Sequence, residues 1–388
     1  MSYDLTALRE REFPWAVRGD AIYLNNASTG PIPARSLERI NDFNERRTKP
    51  YTISDDDEMA TIRKSRELAA RLIGASPAEI ACMVNTTYGI NVAARALPLS
   101  EGDLVLSYGR EFPANVYPWM ALERHGVRFE QIPCNAEGLP EERCLHEALD
   151  REGVKVVTVS WVQFANGYKT DLAALGRECH ARGIYLVVDA IQGLGASTID
   201  VHECDVDIFA CGGQKWLLSP WGTGFVYVRK ELIGNLEPGV VGWMATRGSE
   251  DFSRLVDYDF TYYDDARRFE VVTLPYQDFA GFNSSLELLL ELGPEAVERH
   301  ITGLVDIAVE WASSRRDVRL ITPSDPARRA GIVAMVPKGD VRAASERLTR
   351  AKVAHSLREG AIRFAPHCYN TEQEIRTALV VMVGERGA

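Results

Sequence analysis

The strongest constraint on the fold is an alternation, between about residues 58 and 228, of helix-like segments and short apolar runs rich in β-branched residues. Ile62, Leu68 and Leu72 space as one face of a helix, and residues 171–181 read as another helix. The runs that fit strands are 104–107, 127–132, 154–159, 184–188, 207–210 and 225–228. This alternation predicts an α/β fold with an open, mostly parallel sheet.

Beyond about residue 275 the pattern changes. A helical stretch over 283–311 is interrupted at Gly293 and Pro294, and the segments that follow read as short strands and helices. The strands are predicted at 331–336, 353–357 and 362–365, and the helices at 341–350 and 372–383. We therefore expect a large α/β domain over residues 20–260, a smaller α+β domain formed by 1–19 and 261–388, and a cleft between them.

Charge and composition exclude several classes of function. The net charge of −11 repels phosphate backbones and anionic lipids, so nucleic acid is not an expected partner. No apolar run approaches the roughly 20 residues that cross a bilayer, and the first residues lack the pattern of a secretory signal, so we expect a cytoplasmic protein without membrane contact. The seven cysteines form no CxxC pair and the histidines no HExxH motif, so no metal site is expected.

Two strand ends carry the residues that suggest chemistry. The apolar run 184–188 leads into Asp189, and the run 207–210 leads through Gly212 and Gly213 to Lys215. In an open α/β sheet, ligands bind beyond the carboxyl ends of the strands. A lysine and a carboxylate at such positions meet the needs of pyridoxal phosphate, because the lysine holds the cofactor as a Schiff base and the carboxylate pairs with the ring nitrogen. For each residue alone the ordinary interpretation is favoured, namely a salt bridge at the rim of a cleft for Asp189 and a strand-exit lysine for Lys215. The two residues together, with the features below, favour the cofactor site.

A third segment fits the cofactor's phosphate. The apolar run 81–84 is followed by Asn85, Thr86 and Thr87 at the start of a helical pattern, where free N–H groups attract anions. A plain helix cap without a ligand is the alternative. Phe112, after the strand near Ser107, is a candidate to stack on a flat ring, although an aromatic is more often a core residue.

With these residues, the chain resembles the class V aminotransferase group of pyridoxal phosphate enzymes, which includes cysteine desulfurases and isopenicillin N epimerase. The resemblance covers nearly the whole chain and is most specific at 212–216 and 220–224. It implies fold type I, with a mostly parallel seven-stranded sheet and a smaller C-terminal α+β domain. It also implies a homodimer with shared active sites.

The resemblance assigns roles to individual residues. Lys215 and Asp189 become the catalytic pair. The other cofactor contacts are Thr86 and Thr87 at the phosphate, Phe112 on the ring, Gln192 at the phenolic oxygen, Gln214 beside the lysine, and Thr273 reaching the phosphate of the neighbouring subunit. For the substrate, Arg363 is assigned to the α-carboxylate, and Asn26 and Ser28 lie in the segment that approaches it.

Three departures from the family pattern bear on the reaction. Gln214 stands where many members carry a histidine, and Val272 stands where they carry a glycine. Only four residues separate Arg358 from Arg363, where some desulfurases insert a loop with a nucleophilic cysteine. Cys368 lies beyond Arg363 and is a weak candidate for a persulfide carrier. Sulfur mobilisation is therefore disfavoured.

The expected function is that of a pyridoxal phosphate enzyme acting on a small α-amino acid, with Lys215 removing the α-proton. An aminotransferase or a β-eliminating C–S lyase is favoured. An amino-acid epimerase or racemase, a cysteine desulfurase and a catalytically inactive binding subunit are the alternatives. A nicotinamide-dependent enzyme is not expected, because Gly222-Thr-Gly224 leads into a strand rather than a helix.

Overall fold

We describe the protein from a computed structural model that defines residues 3–271 and 273–385. The helices are α1 (Leu5–Glu12), α2 (Pro14–Val17), α3 (Ala34–Arg47), α4 (Asp55–Ile73), α5 (Thr86–Ala96), α6 (Tyr117–Met120), α7 (Glu142–Ala148), α8 (Leu172–Ala181), α9 (Lys230–Ile233), α10 (Tyr276–Leu292), α11 (Pro294–Ser313), α12 (Val341–Arg350) and α13 (Glu372–Val383). The strands are β1 (Ile22–Tyr23), β2 (Ile80–Cys82), β3 (Leu104–Tyr108), β4 (Arg128–Ile132), β5 (Val154–Ser160), β6 (Tyr185–Asp189), β7 (Ile208–Gly212), β8 (Gly224–Val228), β9 (Val318–Leu320), β10 (Val333–Pro337), β11 (Val353–Ala354), β12 (Ser356–Arg358) and β13 (Ala361–Phe364).

The central element is a seven-stranded sheet with the order β2-β8-β7-β6-β5-β3-β4. Strands β7, β6, β5, β3 and β4 run parallel, whereas β8 is antiparallel to both of its neighbours. Every residue of β3, β7 and β8 is buried, as expected when helices cover both faces of a parallel sheet. The predicted α/β fold with a mostly parallel sheet is confirmed, and each strand predicted between 104 and 228 lies within two residues of its predicted bounds.

The C-terminal part of the chain forms a four-stranded antiparallel sheet, β12-β13-β10-β9. Its apolar face packs with side chains of α11, α12 and α13 in a separate core cluster. The predicted interruption at Gly293 and Pro294 is present: α10 ends at Leu292, and α11 begins with Pro294 in its first turn, where a missing N–H costs nothing. Helices α12 and α13 have their predicted bounds.

One predicted strand is wrong. The run 353–357 is two strands in different sheets, because β11 pairs in parallel with β1 whereas β12 pairs with β13. Strand β1 belongs to the predicted large domain, but its backbone hydrogen bonds are to β11 of the predicted small domain. The sequence patterns also did not reveal α1, α2, α3 or β9. The domain boundaries stay a prediction, and their outermost residues, 1–2 and 386–388, lie outside the described residues, as does Val272.

The fold gathers the carboxyl ends of β3, β5, β6 and β7 at one edge of the large sheet, which end at Tyr108, Ser160, Asp189 and Gly212. The N-terminal segment crosses this edge, since Gly30 N–H donates to the carbonyl of Gln214 at 2.9 Å. A Cβ atom at Gly30 would overlap the carbonyl oxygen of Lys215, so the close approach requires glycine. The N-terminal segment around Gly30 therefore lies at the same edge of the large sheet as the carboxyl ends of these strands.

Among the described residues, no helix combines the length and the apolar character that crossing a lipid bilayer requires.

Candidate active site

Lys215 and Asp189 lie together at the carboxyl edge of the large sheet. Asp189 ends β6 as a buried residue and accepts a hydrogen bond from Ile191 N–H at 3.1 Å. Burial raises the pKa of Asp189 to about 6, although Ile191 and Lys215 oppose the shift. Burial also lowers the pKa of Lys215 to about 8, with Asp189 opposing and Arg363 contributing. The site thus pairs a buried carboxylate with an amine that is partly neutral near physiological pH.

Phe112 forms the wall that faces the lysine. The ring is 42% exposed, and its centroid lies 5.6 Å from Lys215 Nζ. Phe164 supports it edge-on, with 5.3 Å between the ring centroids. Flat rings stack at about 3.5 Å, so a planar ligand on Phe112 would have its second face toward the amine. The predicted stacking role of Phe112 fits this geometry.

Gln192 is held by two neighbours on the floor of the site. Its Nε2 donates to the carbonyl of Ala27 at 2.9 Å, and its Oε1 accepts from Trp216 Nε1 at 2.9 Å. An amide nitrogen carries two protons, so the second N–H of Gln192 is left for a ligand atom. Its assigned bond to the cofactor's phenolic oxygen stays a prediction. Trp216, next to the lysine, is a positioning residue that the sequence patterns did not reveal.

The start of α5 lies beside the lysine loop. Asn85 caps the helix by accepting from Tyr88 N–H at 2.9 Å, and Thr87 is exposed. Thr86 is buried, and its Oγ1 accepts from Gly212 N–H at 2.9 Å. Gln214 Oε1 is buried and has no hydrogen-bond partner among the described residues. The free N–H groups in the first turn of this eleven-residue helix are donors of the kind that an anionic ligand requires, whereas the oxygen of Gln214 can only accept a hydrogen bond.

Arg363 is a buried cation. Its Nε donates to Ser356 Oγ at 3.0 Å, its NH1 to the carbonyl of Phe164 at 2.6 Å, and its NH2 to Ser28 Oγ at 2.9 Å. Burial and the nearby Arg358 lower its pKa to about 10. The guanidinium forms no ion pair with a described acidic side chain, and two of its five N–H groups remain free. An uncompensated buried guanidinium is suited to a carboxylate from outside the chain.

The two other assigned substrate residues differ in their availability. Ser28 is half-buried and connects Arg363 to Asn25 Oδ1, to which it donates at 2.8 Å. Asn26 is fully buried: its Nδ2 donates to the carbonyl of Ala365 at 2.7 Å, and its Oδ1 accepts from Tyr369 at 2.9 Å. Asn26 therefore anchors the N-terminal segment, and substrate contact by either residue stays a prediction.

Comparison with known proteins decides the family. The profile of the family described as aminotransferase class V matches residues 22–377. The chain belongs to the class V aminotransferase family. It is therefore a pyridoxal phosphate-dependent enzyme, as expected from the sequence.

Proteins similar to this class V chain are named for several different activities. The uncharacterized aminotransferase YcbU of Bacillus subtilis is 32% identical over 81% of this chain and 81% of its own length. The isopenicillin N epimerase of Streptomyces clavuligerus is 28% identical over 94% of this chain and 95% of its own length. The apo structure of a cysteine desulfurase from Thermococcus onnurineus superposes with a TM-score of 0.85 at 22% identity, covering 99% and 98% of the two chains, and thereby confirms the fold.

The residues of this class V site fit pyridoxal phosphate. The buried carboxylate of Asp189 suits the ring nitrogen, Phe112 suits the ring face, and Lys215 suits the aldehyde. The free N–H groups at the start of α5 would hold the phosphate end, and the buried oxygen of Gln214, which has no partner among the described residues, could accept a hydrogen bond from a ligand. The individual residue assignments stay predictions.

Glu111 is a buried acid that the sequence analysis passed over. It accepts from Ser160 N–H at 2.8 Å and Gln163 Nε2 at 2.8 Å, and it also bonds Ser160 Oγ. Burial raises its pKa to about 7, with Asp189 contributing. Phe112 directly follows Glu111 in the chain, and Phe164 directly follows Gln163. Glu111 therefore connects the aromatic ring that faces Lys215 to the backbone carbonyl of Phe164, which accepts a hydrogen bond from Arg363. Its position shortly after the end of β3 could have identified it as a candidate site residue, just as a strand-end position identified Asp189.

The turn between β12 and β13 bears on the desulfurase alternative. Arg358 pairs with Ala361 across it, and its two central residues, Glu359 and Gly360, have φ angles of 47° and 79°. This is a tight two-residue hairpin turn, with no loop that presents a cysteine. Cys368 is fully buried, and burial raises the pKa of its thiol well above the usual range. Neither feature favours a persulfide carrier.

The pH dependence of cofactor uptake tests the coupling of Lys215 to Asp189. The neutral amine is the nucleophile, so the rate at which apoprotein binds pyridoxal phosphate should rise with pH and level off above about 8. Asp189 raises the pKa of this amine, so Asp189→Asn should move the midpoint to lower pH. Stopped-flow absorbance measures the uptake rate against pH for the wild type and for the variant. Asp150→Asn is the control for the loss of one carboxylate, because Asp150 pairs with Arg182 on the surface. A midpoint near 10 in the wild type would contradict the assignment.

Proposed function

We propose that this enzyme is an aminotransferase that acts on a small α-amino acid, with Arg363 binding the α-carboxylate and Lys215 moving the proton. The observation that carries the proposal is the buried guanidinium of Arg363, without an acidic partner among the described residues, in the cleft that also holds Lys215 and Asp189. A substrate carboxylate would compensate this cation and bring the α-carbon toward the lysine. The proposed carboxylate-binding residue and the proposed catalytic base therefore lie in the same cleft.

Each residue of the site has a defined task in this proposal. When bound, pyridoxal phosphate withdraws electrons from the α-carbon and so makes its proton acidic. Asp189 would hold a negative charge near the ring nitrogen, and Phe112 would restrain the ring on the face away from Lys215. Lys215 accepts the α-proton, since burial keeps its pKa low enough for the neutral amine to be present. Gln192 and Trp216 keep the floor of the site in position.

The wall opposite Lys215 argues against a two-base epimerase. Phe112 covers that face, and a phenyl ring neither gives nor takes a proton. Transamination would move a proton between two carbons that are bonded to the same nitrogen, and one base on the lysine's own face is enough for that transfer. Epimerisation by Lys215 alone remains the third candidate, in view of the 28% identity to isopenicillin N epimerase.

A β-eliminating C–S lyase is the second candidate. It uses the same residues up to removal of the α-proton, and it then releases a sulfur leaving group. The tight β12–β13 turn and the buried thiol of Cys368 favour release of sulfur to solution over transfer to an enzyme cysteine. These two features place the C–S lyase ahead of a cysteine desulfurase.

We also propose that the enzyme is a homodimer whose subunits share active sites. The segment 240–260 exposes a group of large apolar side chains that a second copy would cover. They are Val240, Val241, Trp243, Phe252, Leu255, Val256, Tyr258 and Phe260. Thr273 is exposed as well, as a residue that reaches a neighbouring subunit must be.

Product analysis separates the candidate reactions. Holoenzyme incubated with amino acids and a 2-oxo acid acceptor is expected to transfer the amino group, which chromatography of both products measures. Release of pyruvate and sulfide from cysteine or cystine without an acceptor would favour the lyase. Exchange of the α-proton with deuterium and no other product would favour the epimerase. If no amino acid exchanges its α-proton, the proposal is wrong.

A further inference from the structure

The register of the small sheet places two further arginines beside Arg363. Across β12, β13 and β10, the residues Ser356, Arg363 and Ala334 are direct partners and form one row. Side chains alternate between the faces of a sheet, so the next row on the same face is two residues away along each strand. That row begins with Arg358 opposite Ala361 and ends with Arg319 opposite Val336. The two arginines thus flank two smaller side chains on the face that carries Arg363.

A cavity of about 180 Å³ lies over this second row. Arg319, Val336, Arg358 and Ala361 line one side of it, and the opposite side includes Gln163. Gln163 bonds Glu111 and precedes Phe164, whose carbonyl holds Arg363. The cavity is therefore adjacent to the site where Arg363 would hold a carboxylate.

The charges around this cavity leave a positive excess. Arg110, Arg319 and Arg358 border it together with two acids, Glu137 and Glu359. Glu359 is engaged by Arg110 at 3.3 Å. Arg319 and Arg358 have no described acidic side chain within ion-pair distance, and Arg358 contributes to the low pKa of both Lys215 and Arg363. Both guanidinium groups thus border the cavity without an acidic partner, and Arg358 is also near enough to Lys215 to affect its charge.

We propose that Arg358 and Arg319 form a second anion subsite that binds the distal carboxylate of the substrate, which makes the preferred substrate an α-amino acid with an acidic side chain. The inference rests on the proposed function, since Arg363 must hold the α-carboxylate. The two rows are about 7 Å apart along β13, at about 3.4 Å per residue. The two carboxyl carbons of extended glutamate are about 5 Å apart, and flexible arginine side chains cover the remainder.

Binding of unreactive analogues to the holoenzyme tests the subsite. Glutarate has two carboxylates, whereas glutaramate has an amide in place of one. Calorimetry is expected to give glutarate an affinity at least about tenfold higher, as an added charged hydrogen bond supplies. Arg358→Met and Arg319→Met should each remove most of this difference. Arg342→Met, an exposed residue of α12, is the control for the loss of one positive charge.

The outcomes separate this inference from the proposed function. Equal affinity for the two analogues in the wild type, or a preference that survives both substitutions, overturns the subsite. Kinetics add a second measurement, since kcat/KM for glutamate over glutamine should fall in both variants by a similar factor. If glutarate binds as expected but no amino acid exchanges its α-proton, the subsite stands and the proposed function fails.

Discussion

Replacing Lys215 by alanine is expected to lower kcat at least about a thousandfold, the range that a positioned general base contributes. The variant should still bind pyridoxal phosphate through Asp189, Phe112 and the start of α5. It should lack the visible absorption band that borohydride abolishes in the wild type, because that band requires a covalent bond to the lysine. Spectroscopy and single-turnover kinetics measure the two effects separately.

Lys155→Ala is the matched control for this substitution, since Lys155 is an exposed lysine of β5 on the same sheet. A small primary amine added to Lys215→Ala should restore part of the rate, because it can enter the space of the missing side chain and accept the proton. A variant that retains the wild-type band, or a wild-type protein that stays colourless with added cofactor, would refute the assignment of Lys215.

The second large effect is expected at Arg363. Arg363→Ala should lower kcat/KM for the amino acid by about a hundredfold to a thousandfold, mainly through KM, because a paired and buried charge contributes about 2–5 kcal/mol. The visible band of the bound cofactor should be unchanged, since Arg363 is assigned to the substrate alone. Steady-state kinetics and absorbance measure both quantities.

Arg363→Lys addresses the risk that the alanine variant misfolds. Lysine keeps the positive charge but lacks the planar fork that bonds Ser356, Phe164 and Ser28 together. This variant should fold, as thermal unfolding would show, and have an intermediate KM. Loss of the visible band in a folded Arg363 variant would contradict the carboxylate role and place Arg363 at the cofactor.

The large sheet was predictable because its strands are apolar and separated by helical periodicity. Burial on both faces makes β6, β7 and β8 nearly continuous apolar runs, and β3 and β5 are mostly apolar, so the local sequence indicates these strands directly. Asp189 and Lys215 were found for the same reason, since each follows such a run. By contrast, β1, β9 and β11 are two or three residues long, too short for a period to be recognised.

The sequence alone determined the fold class, because hydrophobic periodicity is a local property of the chain. Its motifs carried the resemblance to the family, and the positions of Asp189 and Lys215 after apolar runs predicted the reactive pair. Only the tertiary structure decided that Glu111 connects the Phe112 segment to Arg363. It also decided that Arg319 and Arg358 lie on the same face of the small sheet as Arg363. Arg358 and Arg363 are close in the sequence, but the other relations join residues about 40 to 250 positions apart. All of them depend on strand register and burial, which no local pattern encodes. That Arg363 has no acidic partner among the described residues is likewise visible only in the folded structure.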